Sequence, residues 1–230
     1  MHFNNLRYDA ILFDFDGTLA DSHKDVWDSI NYAAQQVGGA LPQAITANPA
    51  NLALPMDRLL ELMTPPVLPA KLDLFKEETV RHYRRLNPLE HTTLYPGIEP
   101  LLLELTNSGI PCCIATLKSA EAMERILRLK GWGQYFTYSL SPDSLGGIRR
   151  SKTELICELL KMLKAKNPVY IGDSATDVTA AHQNGIPCIA VTYGDGEVNE
   201  LIAAKPDWTV QDADELSELL RFVEWRNQSH

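Results

Sequence analysis

Two carboxylates two residues apart, Asp14 and Asp16, stand where the apolar run Tyr8 to Phe13 breaks into the polar turn Asp14-Phe15-Asp16-Gly17-Thr18. A short run rich in strand formers that stops so abruptly predicts a buried strand feeding a turn. Two further apolar runs end in the same way: Pro111 to Ala115 stops at Thr116, and Val169 to Ile171 stops at Gly172-Asp173. In an open α/β sheet, ligands bind at the carboxyl ends of the strands. Carboxylates and a hydroxyl delivered to that edge by separate strands therefore predict a site for a polar ligand. Singly, each residue has a duller use, because Asp caps helices and a β-branched Thr ends strands well. Packing does not explain all of them converging.

The elements that must position these residues fall into two patterns. After Pro96-Gly97, helical and strand-like segments alternate. Leu101 to Leu105 predicts a helix stopped by Gly109, and Ser119 is expected to cap a helix running towards Leu129. Tyr135 to Tyr138 reads as a strand, Lys152 to Leu163 as a helix, and Val178 to Gln183 as a helix closed by Gly185. Ile189 to Val191 and Trp208 to Val210 read as strands, and Asp212 with Glu215 as a variant capping box opening the last helix. Strands alternating with helices predict an α/β fold with a doubly wound parallel sheet. Between residues 21 and 89 the pattern is helical only. Val26, Trp27, Ile30, Ala33, Ala34 and Val37 share one helical face, Leu59, Leu60 and Met63 suggest a second helix, and Leu72, Phe75, Thr79, Tyr83 and Leu86 a third. The expected organisation is a core of residues 1–20 and 90–230 carrying an all-helical insertion, 21–89.

Composition narrows the function classes. The chain has 230 residues, 45% of them hydrophobic, and a formal net charge of −9. An acidic balance without a polybasic stretch argues against polymeric nucleic acid and anionic membrane as partners. No apolar run approaches a membrane span, and the first one is cut by Asp14 and Asp16, which predicts a cytoplasmic protein. The cysteines, Cys112, Cys113, Cys157 and Cys188, match no zinc or redox spacing and read as buried thiols.

The stretch Asp14-Phe15-Asp16-Gly17-Thr18-Leu19-Ala20-Asp21-Ser22 resembles the first motif of the haloacid dehalogenase superfamily. Thr116 matches its second motif, Lys152 its third, and Gly172-Asp173-Ser174-Ala175-Thr176-Asp177 its fourth. Tyr95-Pro96-Gly97 and Ala180-Ala181-His182-Gln183-Asn184-Gly185 are similar to members of the phosphoglycolate-phosphatase type. The resemblance covers nearly the whole chain. It implies a Rossmann-like core with a helical cap, and a Mg²⁺-dependent phosphatase that forms an aspartyl-phosphate. Asp14 would be the nucleophile and Asp16 the acid and base acting on the leaving group. The Asp14 carboxylate, the Asp16 main-chain carbonyl and Asp173 would hold Mg²⁺, as hard oxygen ligands do. Gly17, Thr116 and Lys152 would meet the phosphate, and Asp177 would serve from behind, through a metal-bound water or through Lys152. Arg149 and Arg150 are rival cations for the phosphate. The cap loop Asn48 to Arg58 is expected to select the substrate, with Arg58 its candidate residue.

Two positions depart from the pattern. Leu117 replaces an Asn common in phosphoglycolate-phosphatase-like members, which counts against phosphoglycolate as the substrate. Thr153 replaces the Pro that usually follows the third-motif lysine, which leaves a shifted loop open. The substrate class expected is a small phosphorylated metabolite. The alternatives are a phosphosugar mutase, whose cap must admit a second phosphate, and a non-catalytic module that only binds a phospho-ligand.

Overall fold

The computed structural model describes residues 8–48, 51–52, 54–146 and 149–222. Strand β1 (Ala10–Phe13) is buried at every position, as a parallel strand covered on both faces requires. The chain then passes through β2 (Ala20–Asp21) into a unit spanning Asp21–Thr93, and returns through β3 (Thr93–Leu94).

That unit holds α1 (His23–Gln36), α2 (Gln43–Thr46), α3 (Met56–Glu61) and α4 (Leu72–Arg81). Its core joins Trp27, Ile30 and Ala34 of α1 to Leu59, Leu60 and Phe75. One isolated antiparallel bridge, Ala40 to Thr64, is its only β pairing among the described residues apart from the crossing strands. Beyond α4 the helix widens into a π turn, His82–Leu86, closed by Asn87 N–H donating to the His82 carbonyl at 2.8 Å. The wider turn breaks the 3.6-residue phase. Leu86, assigned by spacing to the apolar face, is consequently 49% exposed. Of the loop Asn48 to Arg58, residues 49, 50 and 53 lie outside the described residues.

The second unit combines residues 1–20 and 94–230. After β3 come α5 (Ile98–Asn107), β4 (Cys112–Ala115), α6 (Ala120–Lys130), β5 (Tyr138–Leu140), α7 (Lys152–Leu163) and β6 (Pro168–Gly172). They are followed by α8 (Ala175–Gln183), β7 (Cys188–Val191), α9 (Val198–Ala203), β8 (Trp208–Val210) and α10 (Ala213–Phe222). The sheet order is β5-β4-β1-β6-β7-β8, with every pair parallel. The doubly wound parallel sheet expected from the alternation is the sheet observed. On one face, Leu155 and Leu159 of α7 and Val178 and Ala181 of α8 close over Leu12 and Tyr170. Helix α5 packs on β4, and α10 on α5 and β8.

Three local expectations are corrected. Tyr135 closes a 3-10 turn, Trp132–Tyr135, and the strand begins only at Tyr138, where pairing with Cys113 starts. Ser119 makes no side-chain cap on α6; the Asp143 carboxylate accepts from Ala120 N–H at 2.8 Å in its place. At α10, Asp212 does cap the Glu215 N–H at 2.8 Å, but Glu215 reaches back past Asp212 to Gln211 N–H, one residue beyond the partner of a true capping box.

Candidate active site

From β1 the chain order runs outward one way through β4 and β5, and the other way through β6, β7 and β8. The switch point lies between β1 and β6, and such a point leaves a crevice at the carboxyl edge. Asp14 follows β1 and Asp173 follows β6, so the two aspartates flank that crevice. Asp14 N–H continues the ladder to the Ile171 carbonyl at 2.9 Å, which fixes its Cα while the side chain turns towards α7 and α8.

Lys152 is the first residue of α7, set there by a capping box. Ser151 Oγ accepts from Glu154 N–H, and Glu154 accepts from Ser151 N–H at 2.7 Å. Its buried ammonium lies 2.7 Å from Asp14 Oδ2 and 2.6 Å from Asp177 Oδ1. Thr153, in place of the usual Pro, donates to Gln183 at 2.8 Å and does not displace this lysine. The rival cations are engaged elsewhere. Arg149 donates to the Leu117 carbonyl, and Arg150 lies 3.7 Å from Glu158.

Asp177 performs two tasks at once. Its Oδ2 accepts from the N–H and hydroxyl of Ser174, capping α8, while its Oδ1 accepts from Lys152 and from the Tyr170 hydroxyl. Gly172 makes room for it, since a methyl group there would lie 2.4 Å from the Asp177 carboxyl carbon. Tyr170 shares its proton between Asp177 and the Ala115 carbonyl, tying β6 to β4 beneath the site.

Asp173 is held by parts of the chain that sequence reasoning missed. Its Oδ2 accepts from the N–H groups of Asp195 and Gly196, each at 3.0 Å, and its Oδ1 accepts from Thr18 Oγ at 3.3 Å. Tyr193 pins the same loop by donating to the Thr18 carbonyl at 2.8 Å. The approach is so close that a methyl group at Gly194 would meet the Gly17 carbonyl at 2.1 Å. Gly17 itself has φ +76°, a left-handed conformation open to glycine, and faces the Asp173 carboxylate. The run Thr192 to Gly196 reads as an ordinary turn; its only sequence signal is two glycines one residue apart after a strand.

Thr116 is buried at the end of β4, its hydroxyl oxygen accepting from Lys118 N–H at 3.2 Å. That bond leaves the hydroxyl proton directed elsewhere. Asp16 Oδ1 lies 3.1 Å from the ammonium of Lys118, a buried lysine the motifs did not flag. Arg58 lies in the other unit, on α3, where it pairs with Glu61 at 2.6 Å on an exposed surface.

The electrostatics follow from this crowding. One carboxylate oxygen from each of Asp14, Asp173 and Asp177 lies within 4.8 Å of the others. Burial raises the Asp14 carboxyl to about 7, with Lys152 opposing and Asp177 and Asp173 adding to the shift. Burial and the neighbouring Asp177 raise Asp173 to about 6 against its bond from Gly196. Burial alone lowers the Lys152 pKa, but Asp14 and Asp177 outweigh it and hold the group above its usual value. The buried negative charge exceeds what one ammonium balances.

Fold and geometry define an α/β protein with three buried carboxylates and a buried lysine gathered at the switch point of its sheet. Its family follows from comparison with known proteins. The sequence model of the haloacid dehalogenase-like hydrolases matches residues 11–191, and the chain belongs to that family, within which it is a phosphatase. It is 32% identical to a 5'-nucleotidase of Pseudomonas aeruginosa over 94% of this chain and 96% of that protein. It is 31% identical to a plasmid-borne phosphoglycolate phosphatase of Cupriavidus necator over 80% and 81% of the two chains. A solved structure of a predicted phosphoglycolate phosphatase from Haemophilus somnus superposes with a TM-score of 0.77 at 26% identity, covering 94% of this chain and 99% of that one. Among the described residues no helix is long and apolar enough to cross a membrane.

Proposed function

We propose that the protein is a Mg²⁺-dependent phosphatase that hydrolyses a small-molecule phosphate monoester through an aspartyl-phosphate on Asp14. The observation carrying this reading is the Asp14 carboxylate, buried at the switch point 2.7 Å from Lys152 and within 4.8 Å of Asp173 and Asp177.

The donor set suits a hard divalent cation. The resemblance names Asp14, Asp173 and the Asp16 main-chain carbonyl as the candidate ligands, and Asp177, fully buried and bound by Lys152, Tyr170 and Ser174, stands behind them. A divalent cation there would offset the repulsion between anionic substrate and anionic nucleophile. Lys152 and the Thr116 hydroxyl meet the phosphate oxygens, with the Gly17 turn allowing the backbone to come close. Asp14 attacks phosphorus as the ester oxygen departs. Asp16 protonates that oxygen, then takes a proton from the water that releases inorganic phosphate and restores Asp14. Asp177 keeps the Lys152 ammonium in place throughout.

The unit Asp21–Thr93 carries none of these residues, and we assign it the choice of leaving group, as a cap, with Arg58 its candidate residue. Nucleoside monophosphates and phosphoglycolate are the first substrates to try, given the named relatives; Leu117 weighs against the second.

Phosphate release from an aryl phosphate and from a panel of nucleotide, sugar and carboxylate phosphate esters tests the reading. Mg²⁺ is required, Ca²⁺ inhibits because of its looser coordination shell, and Asp16→Asn quenched during turnover carries one added phosphoryl group on Asp14 by intact mass. Undiminished turnover in excess chelator sinks the metal role, and a persistent absence of the adduct sinks the covalent one.

A further inference from the structure

Lys152 fills the one lysine position of the family motifs, yet a second lysine is buried beside the first aspartate turn. Lys118 lies on the loop leaving β4, with its side chain only 7% exposed, and its ammonium sits 3.1 Å from Oδ1 of Asp16. Its main chain is fixed as well, because its N–H donates to Thr116 Oγ at 3.2 Å. The Asp16 side chain is 37% exposed. The asymmetry indicates which group restrains the other. A lysine packed along its stem has few rotamers left, whereas a half-exposed aspartate has several and pays entropy to adopt one. Acid–base catalysis depends on that rotamer, since the carboxyl must sit within hydrogen-bond reach of the ester oxygen.

We propose that Lys118 is a positioning residue for leaving-group protonation, holding the Asp16 carboxyl in the rotamer from which it exchanges a proton with the leaving alcohol and then with the hydrolytic water. This rests on the acid–base role of Asp16 given above and deepens it. In the first half-reaction the phosphorus–oxygen bond to the alcohol breaks, a phosphorus–oxygen bond to Asp14 forms, and the Asp16 proton passes to the departing oxygen. Asp16 is then a carboxylate beside the Lys118 ammonium. In the second, water adds to phosphorus, its proton returns to Asp16, and the bond to Asp14 breaks. Lys118 gains and loses nothing in either half. Lys152 stands in a parallel relation to Asp14, so each aspartate of the turn has its own buried ammonium.

The test compares two esters on the full-length protein with Mg²⁺. A nitrophenyl phosphate has a leaving group that departs without a proton; an alkyl phosphate does not. Lys118→Met is expected to lower kcat for the alkyl ester on the order of tenfold more than for the aryl ester, and Lys118→Arg to recover most of that difference. Asp16→Asn should show the same bias more strongly. Adding Lys118→Met to Asp16→Asn should change the ratio no further, because the lysine acts through the aspartate. A loss shared equally by both esters in Lys118→Met, with the bias intact in Asp16→Asn, overturns the Lys118 role alone. Asp16→Asn without any bias overturns the acid role of Asp16, and the positioning role with it.

Discussion

Each unit of this protein buries an aspartate, and the two burials differ in kind. In the helical unit, Asp25 is 1% exposed and its Oδ2 accepts from both the N–H and the hydroxyl of Thr92, at 2.6 and 2.7 Å. Asn87 donates to the Asp25 carbonyl and to Ser29, and Ser29 also meets His82 at 3.0 Å. One carboxylate is thus matched by two donors of a single residue, and it clasps the first helix of the unit to the segment near its end. In the sheet unit, three carboxylates crowd together within 4.8 Å, and a single lysine pairs with two of them, Asp14 and Asp177. The first arrangement is a closed structural network. The second is an imbalance that a cation and a phosphate would resolve. Burial of acid is common to both; unbalanced charge marks the site for chemistry.

Removing one aspartate from each unit separates these meanings. Asp14→Asn is expected to cut kcat by roughly 10⁴-fold or more, since an amide is no nucleophile. The same change should leave the thermal midpoint in chelator equal to or above that of the parent, because it relieves like-charge crowding. Asp25→Ala should do the reverse. It leaves the buried Thr92 N–H unpaired, a loss of about 1–3 kcal/mol, and at this chain length the midpoint should fall by roughly 2–4 °C per kcal/mol. Its kcat per folded molecule should remain within a few-fold of the parent's. Activity assays and thermal melts on both variants decide. A stable but inactive Asp25→Ala, or a strongly destabilised Asp14→Asn, would dissolve the contrast.

The same contrast governs what was legible in the sequence. Asp14, Thr116 and Asp173 announce themselves because strand ends are written in apolar runs that stop, and the sheet brings those ends together. Lys152 and Asp177 were reached through the resemblance, as matches to its third and fourth motifs; the capping boxes that set them at the starts of α7 and α8 emerged only in the structure. Lys118 was missed because nothing in a lysine's neighbours distinguishes a buried ammonium from a solvated one. The Gly194 to Gly196 loop was missed because its partner, Asp173, is some twenty residues away and the bonds come from main-chain N–H groups, which every sequence possesses. Asp25 and Thr92 were invisible for the same reason: their pairing joins the two ends of an insertion. The strand predicted at Tyr135 failed because the 3-10 turn of Trp132–Tyr135 uses the same aromatic residues that favour strands.

The smallest expected effect is also the most specific to the crowded site. Asp14 is raised from 3.8 to about 7, and Asp173 from 3.8 to about 6, burial being the first cause of each. A carboxyl raised on folding binds protons in the native state that the unfolded chain has already released. Between roughly pH 4 and pH 7, the native state therefore holds more protons than the unfolded state, and this contribution to stability declines as pH rises. In chelator, the thermal midpoint should accordingly lose ground between about pH 5 and about pH 7.5 relative to Asp14→Asn. Excess Mg²⁺ should reverse this. It competes with protons for the same oxygens, so its stabilisation is larger at the higher pH, and at a hundredfold over Kd it amounts to about 2.7 kcal/mol. Asp25→Ala should keep the whole Mg²⁺ shift from its lower baseline, while Asp14→Asn should lose most of it. Melts of the three proteins at both pH values, with chelator and with Mg²⁺, give the comparison without any turnover. A Mg²⁺ shift that is the same at both pH values, or one that survives Asp14→Asn intact, would place the ion elsewhere than among these carboxylates.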